Sequence, residues 1–215
     1  MEPKPQLDVI NAAVDALRNV PGVHALFLAG SHGAGLQDKC SDIDFLAVVT
    51  EPAAAGFSDL WRETLGGNIL LWRERPGQVI NAIVGDWVRI DVRFIAPAQL
   101  AGLSRDRLKP LFDHDEIYGT LPAVAPPPAL DKEKMSWQVE EFIRILGLLP
   151  VAMGRGEYIN GVTGLGFLRG LLIDLLIAET GAPHRGGALH LNRLITAEHK
   201  AILTALPPWC RSAVP

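Results

Sequence analysis

Cysteine is scarce in this chain, and so is any surplus of positive charge. Only Cys40 and Cys210 occur, far apart and without metal-ligand spacing, so neither a disulfide framework nor a cysteine-based zinc site is indicated. Acidic residues outnumber lysine and arginine, giving a formal net charge of −4 and a pI near 5.9. No global basic field is present to hold extended nucleic acid, and a small substrate suits the balance better. The first residues, Met1-Glu-Pro-Lys-Pro5, lack the charged start and apolar stretch of a signal peptide, so a cytoplasmic protein is expected. The most apolar segment, 161–178, is interrupted by Arg169, Asp174 and several glycines. Those interruptions argue against a membrane span and for a buried helix of a soluble domain.

What the chain does have is apolar material. With 215 residues, 48% of them hydrophobic, it can build one large domain or two small ones. Leu7, Ile10, Val14 and Leu17 recur at helical spacing over 6–19, before a Pro21-Gly22 stop. Continuous apolar runs over 23–29 and 43–49 predict buried strands, and Ser58 is a candidate cap for a short helix to Leu65. Three more strands are expected over 68–74, 79–84 and 87–95. The breaks between them, Pro76-Gly77 and Gly85-Asp86, are hairpin signals, which predicts an antiparallel part of a mixed sheet. Segments 97–103 and 104–112 read as helical. A proline-rich stretch over 119–129 cannot sustain helix or central strand and marks a boundary between domains at 1–120 and 130–215. Beyond it the strand pattern vanishes. Helices are expected from Asp131 to a kink or stop near Pro150, over 162–179 and over 189–206, and the tail 209–215 reads as disordered. The fold class is therefore α/β with a mixed sheet and flanking helices, followed by an all-helical region.

Within that pattern one stretch is electrostatically odd. An apolar run ends at Gly30-Ser31, and after a polar loop the next run opens with Asp42-Ile43-Asp44. Aspartate is a poor strand former, and side chains two apart on a strand share a face at roughly 7 Å, so two like charges are forced together. A hard divalent cation such as Mg²⁺, which takes carboxylate oxygens and shares substrate phosphates, would resolve the conflict. On a later strand, Val88-Arg89-Ile90-Asp91-Val92-Arg93-Phe94 alternates strictly between apolar and charged residues. This is either an ordinary half-exposed strand with cross-strand ion pairs, or one that sets Asp91 beside Asp42 and Asp44.

Gly30-Ser31, Asp42-x-Asp44 and a lone strand aspartate, Asp91, together resemble the nucleotidyltransferase superfamily typified by DNA polymerase beta. The small size and helical second half are similar to bacterial enzymes that adenylylate aminoglycosides or lincosamides. The motif covers residues 23–95, and the helical half matches only in general character. The resemblance implies a metal-dependent transfer of AMP from ATP to a hydroxyl of a small-molecule acceptor, such as an antibiotic. It implies two Mg²⁺ ions, with Asp42 and Asp44 holding one on the triphosphate and Asp91 holding a second at the acceptor hydroxyl or taking its proton. Gly30 would let the backbone approach the phosphates, and Ser31 would donate to them.

The chain departs from the family in one respect. Many bacterial members carry arginine shortly after the Gly-Ser pair, whereas here His32-Gly33-Ala34-Gly35 follows. Arg62, Arg73, Arg75, Arg89 and Arg93 are candidate replacements, and His32 reads as a solvated loop residue. Gly30, Gly33 and Gly35 do not have the spacing of a dinucleotide fingerprint. Among the tryptophans, core packing is favoured over stacking on a base. In the helical half, Glu140 and Glu141 read as a solvated face, whereas Arg169 and Asp174 need partners if buried. Two other functions are weighed: adenylylation of a protein, as by minimal nucleotidyltransferase antitoxins, and a silent nucleotide-binding module. Arg185-x4-His190 resembles the Arg-to-His motif of the helical toxins paired with such antitoxins, on two residues alone. A homodimer is left open.

Overall fold

The computed structural model describes residues 4–75, 78–85, 87–126, 129–181 and 191–206. The expected turn at Pro76-Gly77, residue 86 of the second turn, the Arg185-x4-His190 spacing and the tail lie outside the described residues. The chain divides into two compact units, Met1–Ala125 and Pro126–Pro215, with the division inside the proline-rich stretch.

The first unit is a mixed α/β structure. Its elements are α1 (Lys4–Leu17), β1 (Val23–Leu28), α2 (Gly30–Gly33), β2 (Ile43–Val49), α3 (Glu51–Leu65), β3 (Ile69–Arg75), β4 (Val79–Val84), β5 (Val88–Ile95), β6 (Lys109–Asp113) and α4 (Ile117–Thr120). The strands form one sheet in the order β3-β4-β5-β2-β1-β6. β3–β4 and β4–β5 pair antiparallel, as the turn signals predict, whereas β2 and β5 run parallel. Parallel neighbours need a crossover, which α3 and the β3–β4 ribbon supply.

Burial explains why β1 and β2 read as unbroken apolar runs. Leu26, Leu28, Phe45 and Ala47 join a cluster with Ile10 and Leu17 of α1 and Phe57 and Trp61 of α3. Their alternates Ala25, Phe27, Leu46 and Val48 pack in a second cluster on the opposite face, with Ile95, Leu108 and Ile117. A strand covered on both faces has no reason to alternate. Trp61 is fully buried, edge-on to Phe45 at 5.1 Å, a core residue as expected, whereas Trp87 and Trp137 are exposed and do not pack in a core. β5 is different: Ile90, Val92 and Phe94 enter the first cluster, leaving Arg89, Asp91 and Arg93 on the other face.

Three local expectations are corrected. α3 begins at Glu51, so Ser58 lies inside it and donates to Glu74 on β3 instead of capping. Residues 97–112 are not two helices. They contain single 3-10 turns at Pro97–Gln99 and Arg105–Arg107, and then β6. Pro110 is compatible with β6 because that strand lies at the sheet edge, where a missing N–H costs nothing. His32 is 1% exposed and not a solvated loop residue.

The second unit holds α5 (Lys132–Gly154), α6 (Tyr158–Thr180), α7 (Leu191–Leu194) and α8 (Ala197–Ala205). Asp131 caps α5, its carboxylate accepting from the Lys134 amide at 2.9 Å. Pro150 does not stop α5, which runs four residues further. α5 packs along α6. α6 ends at Gly181 in the left-handed region, φ 59°, as its glycine predicts. The expectation that α6 is buried fails. Only Gly161 and Leu168 are buried, and Ile159 and Phe167 are exposed. By length and composition alone α6 is apolar enough to cross a membrane.

Candidate active site

The strand pairing decides what the sequence left open about Asp91. In the parallel β2–β5 ladder, Asp44 stands opposite Asp91, as Ile43 stands opposite Ile90. Both carboxylates fall on the face that carries Leu46, Val48 and Ile95, and they line one cavity of about 450 Å³ together with Gly30. That volume is within the range of small-molecule sites. Asp42 precedes β2, and its Oδ2 accepts from Arg89 at 2.9 Å. The ion-pair reading of the alternating strand therefore holds for Arg89, while the clustered reading holds for Asp91.

Like charges at this spacing leave a measurable mark. The Asp44 carboxyl is pushed up to about 6 from 3.8, first by burial, then by the negative charges of Asp42 and Asp91. The Arg89 guanidinium pulls the other way without balancing them. Burial and like charge thus both oppose ionisation of Asp44.

Gly30 is dictated by the same carboxylate. Its φ is 53°, and a Cβ built on it would stand 1.9 Å from Asp44 Oδ2 and 2.8 Å from its Cγ. No residue with a side chain fits without displacing Asp44. The Ala29 amide donates to the Asp44 carbonyl at 2.8 Å, which ties the glycine turn to the strand that bears the aspartates. Ser31 is 7% exposed, and its hydroxyl has no partner among the described residues. It stands next to the cavity in sequence but does not line it.

Of the arginines considered as replacements, most lie elsewhere. Arg62 stacks on Trp72 at 4.9 Å, Arg73 and Arg75 are exposed on the edge strand β3, and Arg89 holds Asp42. Arg93 does line the cavity, and so does Arg107, which the sequence reading passed over. Arg107 carried no motif, sitting in a segment that reads as helix. In the second unit, Glu141 accepts from Arg144 at 2.6 and 2.7 Å and Glu140 from Ser136, so these charges are satisfied along α5. Arg169 donates to the Leu206 carbonyl and Asp174 accepts from Gln138, both at 3.2 Å, which gives each the partner it was expected to need.

Whether the site suits a metal ion can be judged from its donors. Among the described residues no group of three or more His, Cys, Asp or Glu side chains is placed to hold one. The pair Asp44 and Asp91 has the right chemistry for a hard divalent cation: oxygen donors and unbalanced negative charge on one wall. Two carboxylates with substrate phosphates are a usual set for Mg²⁺. A third ligand from Asp42 requires that it leave Arg89.

No family model matches the chain, and no curated protein matches it in sequence. Among solved structures it is similar to an aminoglycoside 6-adenyltransferase from Bacillus subtilis, at 14% identity, over 91% of this chain and 77% of that one, with a TM-score of 0.38.

Proposed function

We propose that this protein is a nucleotidyltransferase that moves AMP from ATP to a hydroxyl group of a small molecule. The observation that carries the reading is the register of Asp44 against Asp91 on parallel strands, with Gly30 pressed against the Asp44 carboxylate. A half-exposed strand as such gives no reason to set two carboxylates opposite each other on the wall of a cavity.

Asp44 and Asp91 would hold a divalent cation, which when bound supplies positive charge to the phosphates and lowers the cost of the developing charge. Asp91 accepts the proton of the acceptor hydroxyl. The hydroxyl oxygen bonds to the α-phosphorus of ATP, the bond from that phosphorus to the bridging oxygen breaks, and pyrophosphate departs with the electron pair. Gly30, having no Cβ, leaves free the volume that the Asp44 carboxylate occupies and lets the backbone come close to it. Asp42, held by Arg89, contributes negative charge to Asp44 from the flank, and joining the ligand set for a second ion would require it to break that pair. Use of ATP is compatible with action in the cytoplasm. An antibiotic is one class of acceptor with suitable hydroxyls.

The test is pyrophosphate release from ATP and Mg²⁺ over a panel of hydroxylated acceptors, with Asp44→Asn and Asp91→Asn in parallel. Release with at least one acceptor, falling 100-fold or more in each variant, is the expected result. Unchanged rates in the variants would sink the assignment. Transfer to a protein and to no small molecule would make the enzyme a protein adenylyltransferase, and nucleotide binding without release would make it a binding module.

A further inference from the structure

The cavity has a second wall whose chemistry is opposite to the first. Arg107 and Ser104 line it from the segment between β5 and β6, with Arg93 on the same face of β5 as Asp91. Ser104 is 1% exposed, and its hydroxyl has no hydrogen-bond partner among the described residues. A hydroxyl buried in this way costs stability unless something else satisfies it. The wall therefore sets two arginines and a buried serine hydroxyl beside whatever enters the cavity.

The segment is held in place from two sides. Below it, Gly33 makes room: a Cβ there would meet the Arg107 carbonyl at 2.2 Å and the Leu28 carbonyl at 2.7 Å. The stretch His32-Gly33 is thus where the turn lets the Arg105–Arg107 segment dock. On its other side, the Arg105 and Asp106 amides donate to the Pro122 and Ala123 carbonyls at 2.9 and 3.1 Å, and the Ala125 amide donates to Asp106 Oδ1 at 3.1 Å. Arg107 and Ser104 are consequently carried on a braced turn, and their placement does not depend on a free loop.

We infer that Arg107 and Ser104 hold the β- or γ-phosphate of the nucleoside triphosphate, so that anion binding comes from the β5–β6 connection and not from a cation in the glycine turn. The inference rests on the nucleotide reading of the cavity. A planar guanidinium can donate two hydrogen bonds to a phosphate, and a serine hydroxyl one more. Asp44 and Asp91 repel the same phosphate, which keeps it on the arginine side unless a cation intervenes. Arg93 adds positive charge at the exposed mouth.

Isothermal titration of the full chain with inorganic tripolyphosphate, ATP, inorganic phosphate and adenosine, in Mg²⁺ buffer, tests this. Arg107→Gln should weaken tripolyphosphate and ATP tenfold or more, and Ser104→Ala about threefold, with adenosine unchanged. Arg107→Lys should fall between wild type and Arg107→Gln. If Arg107→Gln melts without a cooperative transition, Arg107→Lys and Ser104→Ala decide the matter. Unchanged binding of ATP and tripolyphosphate in the variants, or no tripolyphosphate binding by wild type, overturns the inference. A loss confined to inorganic phosphate would assign the wall to a phosphate on the acceptor and overturn it too. The two readings fail separately: a chain that transfers AMP with Arg107→Gln binding ATP normally loses only this one. A chain that releases no pyrophosphate, yet needs Arg107 for tripolyphosphate, loses only the transfer reading.

Discussion

Asp44 binds its proton more tightly in the folded chain than in the unfolded one, because burial and two neighbouring carboxylates oppose its charge. The folded state then holds more protons than the unfolded state between pH 3.8 and about 6, and stability falls as pH rises through that window. Asp44→Asn removes the charge. It should stabilise the metal-free protein by roughly 1–3 kcal/mol at pH 7.5 and by nothing below pH 3.8, as melting temperatures at the two pH values will show. Arg89 opposes the shift, so Arg89→Gln should move the Asp44 titration, followed by carboxyl carbon NMR, above its present value of about 6. Gly30→Ala places a methyl group against the carboxylate and asks alanine to adopt φ 53°. A loss of about 1–3 kcal/mol in denaturant unfolding is expected, with Asp44 displaced. A variant as stable as wild type would show that the close contact is not tight.

Elements place these residues by simple rules that pull in different directions. β2 is buried on both faces, so Asp44 enters near its start, on the face whose apolar cluster begins at Leu46. β5 alternates, and its charged face is free to carry a ligand. Pro150 shows a rule overridden: a proline usually breaks a helix interior, but α5 continues past it to Gly154. Pro150→Ala restores a hydrogen bond near the end of α5 and should raise the helical unit's stability by about 1–3 kcal/mol, read from the far-ultraviolet melt. No change would mean that the helix end carries no strain.

At the scale of the molecule, the two compact units meet in the chain at Ala125–Pro126. The first has its own two apolar clusters, one on each face of the sheet. Residues 1–125 expressed alone should therefore unfold cooperatively and retain tripolyphosphate binding, because the cavity lining belongs wholly to that unit. A fragment without a cooperative transition would show that the helical unit completes its core. The second unit differs, with Ile159 and Phe167 of α6 exposed.

Short-range physics decided most of what the sequence determined by itself. Apolar runs and glycine or proline stops located β1, β2, β4 and β5, alternation gave the two faces of β5, and the proline-rich stretch marked the division. Asp42, Asp44 and Gly30 stood out because like charges near a buried strand and a glycine at its turn conflict with local preference, which is visible in one dimension, whereas Asp91 was marked only by the alternation of its strand. The tertiary structure alone decided that β5 lies parallel to β2 with Asp91 facing Asp44, that Asp42 pairs with Arg89, and that Arg107 and Ser104 complete the cavity. Strand order and the docking of a connecting segment are long-range outcomes of how two apolar faces are covered. Residues 44, 91 and 107 carry no mark in sequence of which neighbours that covering will bring to them.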